Sequence, residues 1–523
     1  MSESNEKQIK KAEDKVVSEA DQRKAEKRSN LMYTLIAVAF VIVAAVSIFW
    51  RFTSNAPQKD LPAVTINGQE YTAAEVNFYY QNLYGNFVNN NYYFLSFMGL
   101  DMNSSLKEQV ISEDAAALLG LEGIESGTTW HEYLMQETLA QMAAAQELLA
   151  DAESNGYTYP DSLQDLFESN MLALETTAAS NNMSAADYLV AVFGSNMTKE
   201  IYEKHLMNAL KYEIYATETA ESFTYTAADL QTAYEADRNT YDNAAYEYVL
   251  INGAAETTTD ADGNTVDATE EESAAAKEAA KLAADEMLAA LNDGDNLEAL
   301  ASANNKATYV NETAGVYYAT ALTEWAFDMD RQAGDTAVLE SGSNYYVVLF
   351  HERYRDNTNT VDVRHILLQP AAGTLTSDAE GYEAEHEQLL ADCLAEAEAL
   401  LEQWKSGDAT EESFAALANE YSTDGGSNTA GGLYIGVQPG TMVPEFNDWC
   451  FDASRKPGDT GIVYGTNGGY EGYHIMYYSA DNLPVWEMSV ETNLRNEDTI
   501  NWLSTFGANA VIEQIESGIA LVG

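Results

Sequence analysis

Positive charge is scarce in this chain of 523 residues: 26 Lys and Arg stand against 84 Asp and Glu, a formal net charge of −58. So acidic a surface repels a phosphate backbone, which excludes nucleic acid as a partner. Cysteine is scarcer still. Cys393 and Cys450 are too few for a disulfide framework, even in an oxidising compartment. Cys393 falls on a stripe of helical spacing with Leu389, Leu390, Leu394, Ala397, Leu400, Leu401 and Trp404, the pattern of a buried core thiol. Two free core cysteines are expected, with a bridge between them as the alternative. His131, His205, His351 and His386 show no ligand spacing with Cys or with another His, so neither a metal site nor a cofactor is expected. The run Gly465-Thr-Asn-Gly-Gly469 reads as a turn and not a phosphate loop, since no helix with Lys-Ser/Thr follows it.

Long apolar runs are absent but for one, Leu31 to Trp50, which carries no charge and as a helix would span about 30 Å, the hydrocarbon thickness of a bilayer. Arg23, Lys24, Lys27 and Arg28 precede it and only Arg51 follows closely. The positive-inside rule then gives residues 1–30 as a cytoplasmic tail, 31–50 as a transmembrane anchor and the rest as extracytoplasmic. The expected localisation is a single-pass protein of the cell membrane. A cleaved signal peptide is the alternative, although its apolar core is usually shorter and ends at a small-x-small site.

At roughly 150 residues per domain the length implies about three or four folded units. Ala63-Val-Thr-Ile-Asn-Gly68 alternates and meets Asn-Gly, a hairpin signal, and Thr72-Ala-Ala-Glu75 is a capping box opening a helical region. Thr226-Ala-Ala-Asp229 caps a further helix, so 60–243 reads as one helix-rich domain. An internal repeat follows, 244–353 and 361–480. Tyr246-Glu-Tyr-Val-Leu-Ile251 parallels Val363-Arg-His-Ile-Leu-Leu368, and EWAFDMDRQAGDT parallels DWCFDASRKPGDT. By this matching Tyr248 stands where His365 does and Tyr346 where His474 does. The interval from Gly315 to Trp325 is also shorter than that from Gly431 to Trp449, lacking the stretch that carries Met442 and Phe446. The acidic insert Glu256 to Ser273 reads as a solvated loop. Residues 483–523 read as a C-terminal helical segment with apolar positions at Ile500, Trp502, Leu503, Phe506, Val511, Ile512 and Ile515.

The second copy places a histidine on a strand-like run at either end: VRHILL first, YSTDGGSNTAGGLYIGVQPGTMVPEF in the middle, GYHIMYY last. Taken one by one, a strand histidine is a common core residue, a Met and Phe four apart are common in cores, and a Gly-flanked Asp is a common turn former. In this order and spacing they resemble the parvulin family of peptidyl-prolyl cis/trans isomerases. The opening AVTINGQEYTAAEVNFYY, GSNMTKEIYEKHL and TAADLQTAYEADRNTY resemble the N-terminal chaperone domain of SurA-like and PrsA-like foldases.

These resemblances imply an α+β multidomain fold: a single N-terminal transmembrane helix, a helical SurA-like chaperone domain and two tandem parvulin-like domains, each an antiparallel sheet flanked by helices. The first copy would be inactive, and the C-terminal segment would pack on the chaperone domain. The parvulin resemblance makes His365 and His474 a facing pair and Asp424 the acid beside the reacting amide. Met442, Phe446 and Tyr434 become the apolar walls of the proline pocket. Thr466 is the candidate for a hydroxyl at the pair, with about three extra residues between it and His474 relative to the family pattern. The implied partners are the membrane, through the N-terminal helix, and unfolded or partly folded exported polypeptides containing X-Pro bonds. Phosphoserine-proline specificity is not implied, since QPAAGTLTSDAEGYEAEHEQ lacks the basic cluster of phosphate-directed parvulins. The implied function is isomerase and chaperone. The rivals are a holdase using parvulin domains as scaffolds, and a structural envelope protein with borrowed domains.

Overall fold

The computed structural model describes residues 61–121, 124–259, 265–315, 317, 319–467 and 470–523. The expected single-pass architecture is corrected here. No helix among the described residues is long and apolar enough to cross a membrane, and the run 31–50 lies outside the described residues. The structure therefore does not support the transmembrane anchor in the fold class, nor the single-pass membrane localisation and membrane contact that rest on it. What stands is an α+β multidomain chain.

Its strands, in chain order, are β1 (Pro62–Ile66), β2 (Gln69–Thr72), β3 (Asp242–Ile251), β4 (Thr258–Thr259), β5 (Thr265–Val266), β6 (Ala307–Gly315), β7 (Thr336–Ser341), β8 (Asn344–Arg355), β9 (Asn359–Leu368), β10 (Leu433–Val437), β11 (Thr460–Asn467), β12 (Tyr470–Pro484) and β13 (Ile512–Gln514). The chain divides into two compact units, the first comprising the described residues up to Thr224 together with Arg495–Gly523, the second Tyr225–Leu494.

The first unit is helical around a small sheet of order β13-β1-β2. Asn67 and Gly68 both take positive φ, 48° and 82°, which turns the β1–β2 hairpin tightly. Thr72 and Glu75 form a reciprocal capping box at the start of the helix Ala73–Asn91. That helix packs on Trp130–Ser154, with Val76, Tyr80, Leu134, Leu139 and Met142 buried around Val64 and Ile66 of β1. Differences from the expected C-terminal helix appear near the end of the chain. The helix Val485–Ser504 stops there and Gly507 adopts a φ of +76°, so Ile512 is delivered in a strand instead. β13 then pairs with β1, and the Ile515 amide donates to Ala63 O at 2.8 Å.

The second unit holds two four-stranded antiparallel sheets with the same strand order, β6-β3-β8-β7 and β10-β9-β12-β11. In each, the first and last long strands lie side by side at the centre, with two helices on one face and a short helix on the other. The acidic insert is not wholly loop: β4 and β5 form a short hairpin within it, and Thr269 caps the helix Glu270–Asn292 through Glu272. The parallel sequences EWAFDMDRQAGDT and DWCFDASRKPGDT make matching contacts. Arg331 lies over Trp325 at 4.1 Å and Arg455 over Trp449 at 4.0 Å. The Gly334 amide donates to Phe350 O at 2.8 Å, and the Gly458 amide to Tyr478 O at 2.9 Å. Both cysteines are free and buried.

A test of the first unit's closure uses Gly518, where an added Cβ would come within 2.0 Å of Pro62 O and 2.7 Å of Ala63 Cα. Backbone cannot yield as a flexible side chain does, so Gly518→Ala should lower stability by about 1–3 kcal/mol. Chemical denaturation of the full chain checks this, beside Glu516→Ala as a surface control. An unchanged midpoint in Gly518→Ala would show that the turn of helix Glu516–Ile519 does not pack closely on β1.

Candidate active site

The geometry begins with β9, central in its sheet. Antiparallel pairing sets His365 opposite Met476 and Leu367 opposite His474. The two histidines are therefore diagonal neighbours on adjacent strands, and strand alternation turns both to the same face. On the other face Ile366, Leu368 and Ile475 pack against the helices Tyr382–Ser406 and Glu411–Tyr421. The histidine face carries Val363, Met476 and Tyr478, covered by the short helix Pro444–Cys450 with Phe446 and Trp449 inward.

His365 and His474 are 3 % and 6 % exposed, and their Nδ1 atoms lie 2.9 Å apart. Asp424 comes from the loop after the helix Glu411–Tyr421. That loop is pinned to β9: the Thr423 amide donates to Leu367 O at 2.8 Å, and the Leu367 amide donates to Ser422 Oγ at 3.0 Å. The pinning brings Asp424 Oδ2 to 2.8 Å from His365 Nε2. The same oxygen accepts from the Ser427 hydroxyl at 2.6 Å and from the Tyr434 hydroxyl at 2.9 Å. Gly431 and Gly432 let the chain return beside β9. At Gly432, φ is +71° and a Cβ would meet His365 O at 2.2 Å, so glycine alone fits.

Phe446 stands edge-on to both imidazoles, its centroid 5.4 Å from each. Met442 and Tyr434 pack half-buried against the same apolar cluster. Six of the seven residues singled out in the sequence thus meet at one place: His365, His474, Asp424, Met442, Phe446 and Tyr434. Thr466 does not join them. It pairs with Glu471 on β11, whereas Val463 pairs with His474, so Thr466 has the opposite strand parity and is exposed. The hydroxyl at His474 Nε2 is that of Tyr470. Tyr470 and Ser427 were missed in the sequence; Tyr470 could have been found by parity, since it lies four residues before His474 on the same strand and so shares its face.

Burial opposes the charge on Asp424, yet the hydrogen bond and charge of His365, with the hydroxyls of Ser427 and Tyr434, outweigh it and hold the carboxyl well below the ordinary range. Burial, followed by the neighbouring His365, pushes His474 down to about 3 against the pull of Asp424. The arrangement is an ionised carboxylate and a neutral imidazole lining an apolar floor. Among the described residues no cluster of His, Cys, Asp and Glu could hold a metal ion.

In the first copy the equivalent register sets Tyr248 opposite Val348 and Tyr346 opposite Leu250. The two tyrosine rings meet edge-on at 5.6 Å where the second copy has its imidazoles.

The family profile of the PPIC-type PPIASE domain matches residues 345–477, which include every residue of this constellation. Residues 345–477 thus match the parvulin-type PPIase family. Among curated relatives, Chaperone SurA of Alkalilimnicola ehrlichii is 33 % identical over 125 residues, 23 % of this chain and 25 % of that protein. Chaperone SurA of Shewanella frigidimarina is 26 % identical over 257 residues, 46 % of this chain and 54 % of its own length. The chain thus spans between a quarter and about half of the curated relatives it matches. Among solved structures, the peptidylprolyl isomerase PrsA of Bacillus anthracis aligns with 29 % of this chain and 59 % of its own, at 19 % identity and a TM-score of 0.18. A structure from work on the SurA-like chaperones PEB4 and Cj1289 of Campylobacter jejuni aligns with 85 % of this chain and 94 % of its own, at 14 % identity and a TM-score of 0.13.

The low His474 value makes the stability of the parvulin domain depend on pH with a definite sign. A histidine whose folded pKa falls from 6.5 to about 3 is neutral in the fold and protonated sooner when unfolded. Its contribution is complete above about pH 6.5 and is lost as pH falls towards about 3. Asp424, also depressed, adds a loss beginning near its unfolded value, about pH 4. The urea midpoint should therefore fall between pH 7 and pH 4.5, and His474→Gln should flatten that fall. An equal slope in the variant would remove His474 as the cause.

Proposed function

We propose that the protein is a peptidyl-prolyl cis/trans isomerase that also acts as a chaperone, assisting the folding of exported polypeptides. The catalytic unit is the second copy, residues 361–480, and the first, 244–353, is a parvulin-like domain without a working site. The helix-rich region 60–243, completed by the C-terminal segment 483–523, supplies the chaperone domain. One observation carries the isomerase reading: a buried His474–His365–Asp424 chain that opens on an apolar floor of Phe446 and Met442.

The X-Pro amide resists rotation by about 18–20 kcal/mol because its planar form has partial double-bond character and charge separation. Rotation needs neither a nucleophile nor a metal. A proline ring held against Phe446 and Met442 sits where the planar, charge-separated amide is poorly solvated, which favours the twisted form. Asp424 is the catalytic acid group in its ionised state: a carboxylate beside the carbonyl carbon opposes amide resonance. His365 and His474 hold that carboxylate in place. Met442, Phe446 and Tyr434 bind the substrate.

Support for a chain-binding role comes from the segment after the helix Ala73–Asn91. Tyr92, Tyr93, Phe94 and Phe97 are 56 %, 84 %, 53 % and 76 % exposed. Large aromatics clustered in solvent are a usual sign of an interaction surface. The same observation favours the second reading, a holdase whose parvulin domains only grip peptide.

The full chain, tested on unphosphorylated X-Pro peptides, should accelerate isomerisation. His365→Ala and Asp424→Ala should each slow it by about tenfold or more, the scale of losing one charge-assisted hydrogen bond. Suppression of aggregation of an unfolded client should be unaffected. Absence of acceleration by folded wild-type protein would leave the holdase reading.

A further inference from the structure

Beside the site, β10 does not run regularly along β9. Tyr434 pairs with Val363 and Val437 with Val361, so Ile435 and Gly436 together face the single residue Asp362. This is a β-bulge, a distortion that re-aims neighbouring side chains, and the side chain next to it is that of Tyr434. Gly436 takes a φ of +65° there, and Ile435 is 67 % exposed. We propose that Asp362, which lies outside the site, is a positioning residue: its carboxylate holds this bulge and so aims the Tyr434 hydroxyl at Asp424. This rests on the isomerase reading above.

One carboxylate oxygen does the holding. Asp362 Oδ1 accepts from the Gly436 amide at 2.8 Å and from Asn482 Nδ2 at 2.7 Å. Asn482 lies on β12, the neighbour of β9 on its other side. Asp362 therefore ties β10 to β12 across β9, and these are the strands that carry Tyr434 and His474. Gly436 is also backed by Met488, whose Cε would lie 2.8 Å from an added Cβ. The placement matters because the Tyr434 hydroxyl is one of three donors on Asp424 Oδ2, at 2.9 Å. It stands at the far end of a rigid ring, so a small rotation of the strand carries it out of hydrogen-bond range.

The first copy separates this hold from the frame. There Ala244 pairs with Gly315 and Tyr246 with Glu312, which sets Thr313 and Ala314 against Ala245 alone. The same bulge thus occurs at the same place. Tyr246 stands where Val363 does, so Ala245 stands where Asp362 does. The bulge therefore forms without a carboxylate opposite it. Of the two copies, only the one with the histidine pair has an acid there, and the place of Tyr434 is taken in the other by Glu312.

The test compares the full chain as wild type, Asp362→Ala, Asp362→Asn, Tyr434→Phe and the double variant Asp362→Ala/Tyr434→Phe. Isomerase kinetics on unphosphorylated X-Pro peptides are measured for all, and crystal structures are determined for wild type and Asp362→Ala. Ala245 shows that alanine at this place is compatible with the sheet. Asp362→Ala should lower kcat/KM about tenfold, within the roughly 100-fold that a misplacement of about 1 Å can cost. Asp362→Asn keeps an acceptor oxygen for both donors and should stay within about twofold of wild type. In the Tyr434→Phe background the alanine should cost less than about twofold, because the hydroxyl it would displace is already gone. In the crystal of Asp362→Ala, the Tyr434 hydroxyl should lie out of hydrogen-bond range of Asp424. Wild-type kcat/KM in Asp362→Ala, an equal loss in Asp362→Asn, a full cost in the double variant or an unmoved Tyr434–Asp424 bond would each overturn the proposal. A wild-type crystal without the Gly436–Asp362 bond would do so with no variant at all. If the wild type lacks isomerase activity, the isomerase reading fails, and the crystal structures still decide whether Asp362 aims Tyr434.

Discussion

The antiparallel register of β9 against β12 is the constraint on which the candidate site depends. His365 opposite Met476 and His474 opposite Leu367 place the imidazoles on one face and within one hydrogen bond of each other. A slip of one residue would send one ring to the helix-covered face and an aliphatic side chain to the site. Both faces of this sheet are buried, by the helices Tyr382–Ser406 and Glu411–Tyr421 on one side and Pro444–Cys450 on the other. The register is thereby fixed by two apolar interfaces at once. Polar chemistry is held in place by the packing of residues that take no part in it.

Burial acts in two directions along the chain of groups. It costs Asp424 its water, yet three donors converge on one oxygen and keep it ionised. It costs His474 its charge, and no carboxylate touches that ring to restore it, so the imidazole stays neutral. Ion and neutral ring thus differ in fate within a few ångströms because the donors surround one and not the other. An apolar floor can lie against this polar chain because every site on it has a partner.

Much of this was legible in the sequence because the deciding residues fall in short contiguous phrases. VRHILL, STDGG, GTMVPEF and GYHIMYY each carry a side chain whose direction follows from strand alternation or helix spacing. What was not legible depends on how segments meet. Ser427 reaches Asp424 through a loop whose path is set by glycines at 431 and 432. Thr466 was the hydroxyl candidate by the family pattern, but β11 presents it with the wrong parity, and Tyr470 takes the place. The end of the chain misled for a different reason: the apolar spacing continued past Gly507, whereas the backbone at φ +76° did not continue as helix. The apolar run at 31–50 suggested an anchor through length and charge alone, and no helix among the described residues spans a membrane.

Comparison of the two sheets separates what the architecture requires from what the chemistry requires. Strand order, the tryptophan covered by an arginine, and the glycine amide bonded to the last strand are the same in both. Each of these closes the sheet or anchors the short helix, and none touches the histidine positions. The residues that differ are those facing the small helix: Tyr248 and Tyr346 in place of His365 and His474. Two tyrosines meeting edge-on satisfy the packing of that face as well as two imidazoles do. They cannot bond at two ring positions as an imidazole does, since a phenol ring offers its hydrogen bond from one atom only. The frame therefore accepts either pair of side chains without a change of strand order. The frame and the buried polar chain are thus separable: the frame closes without the chain, and the second copy holds the chain against the cost of its burial.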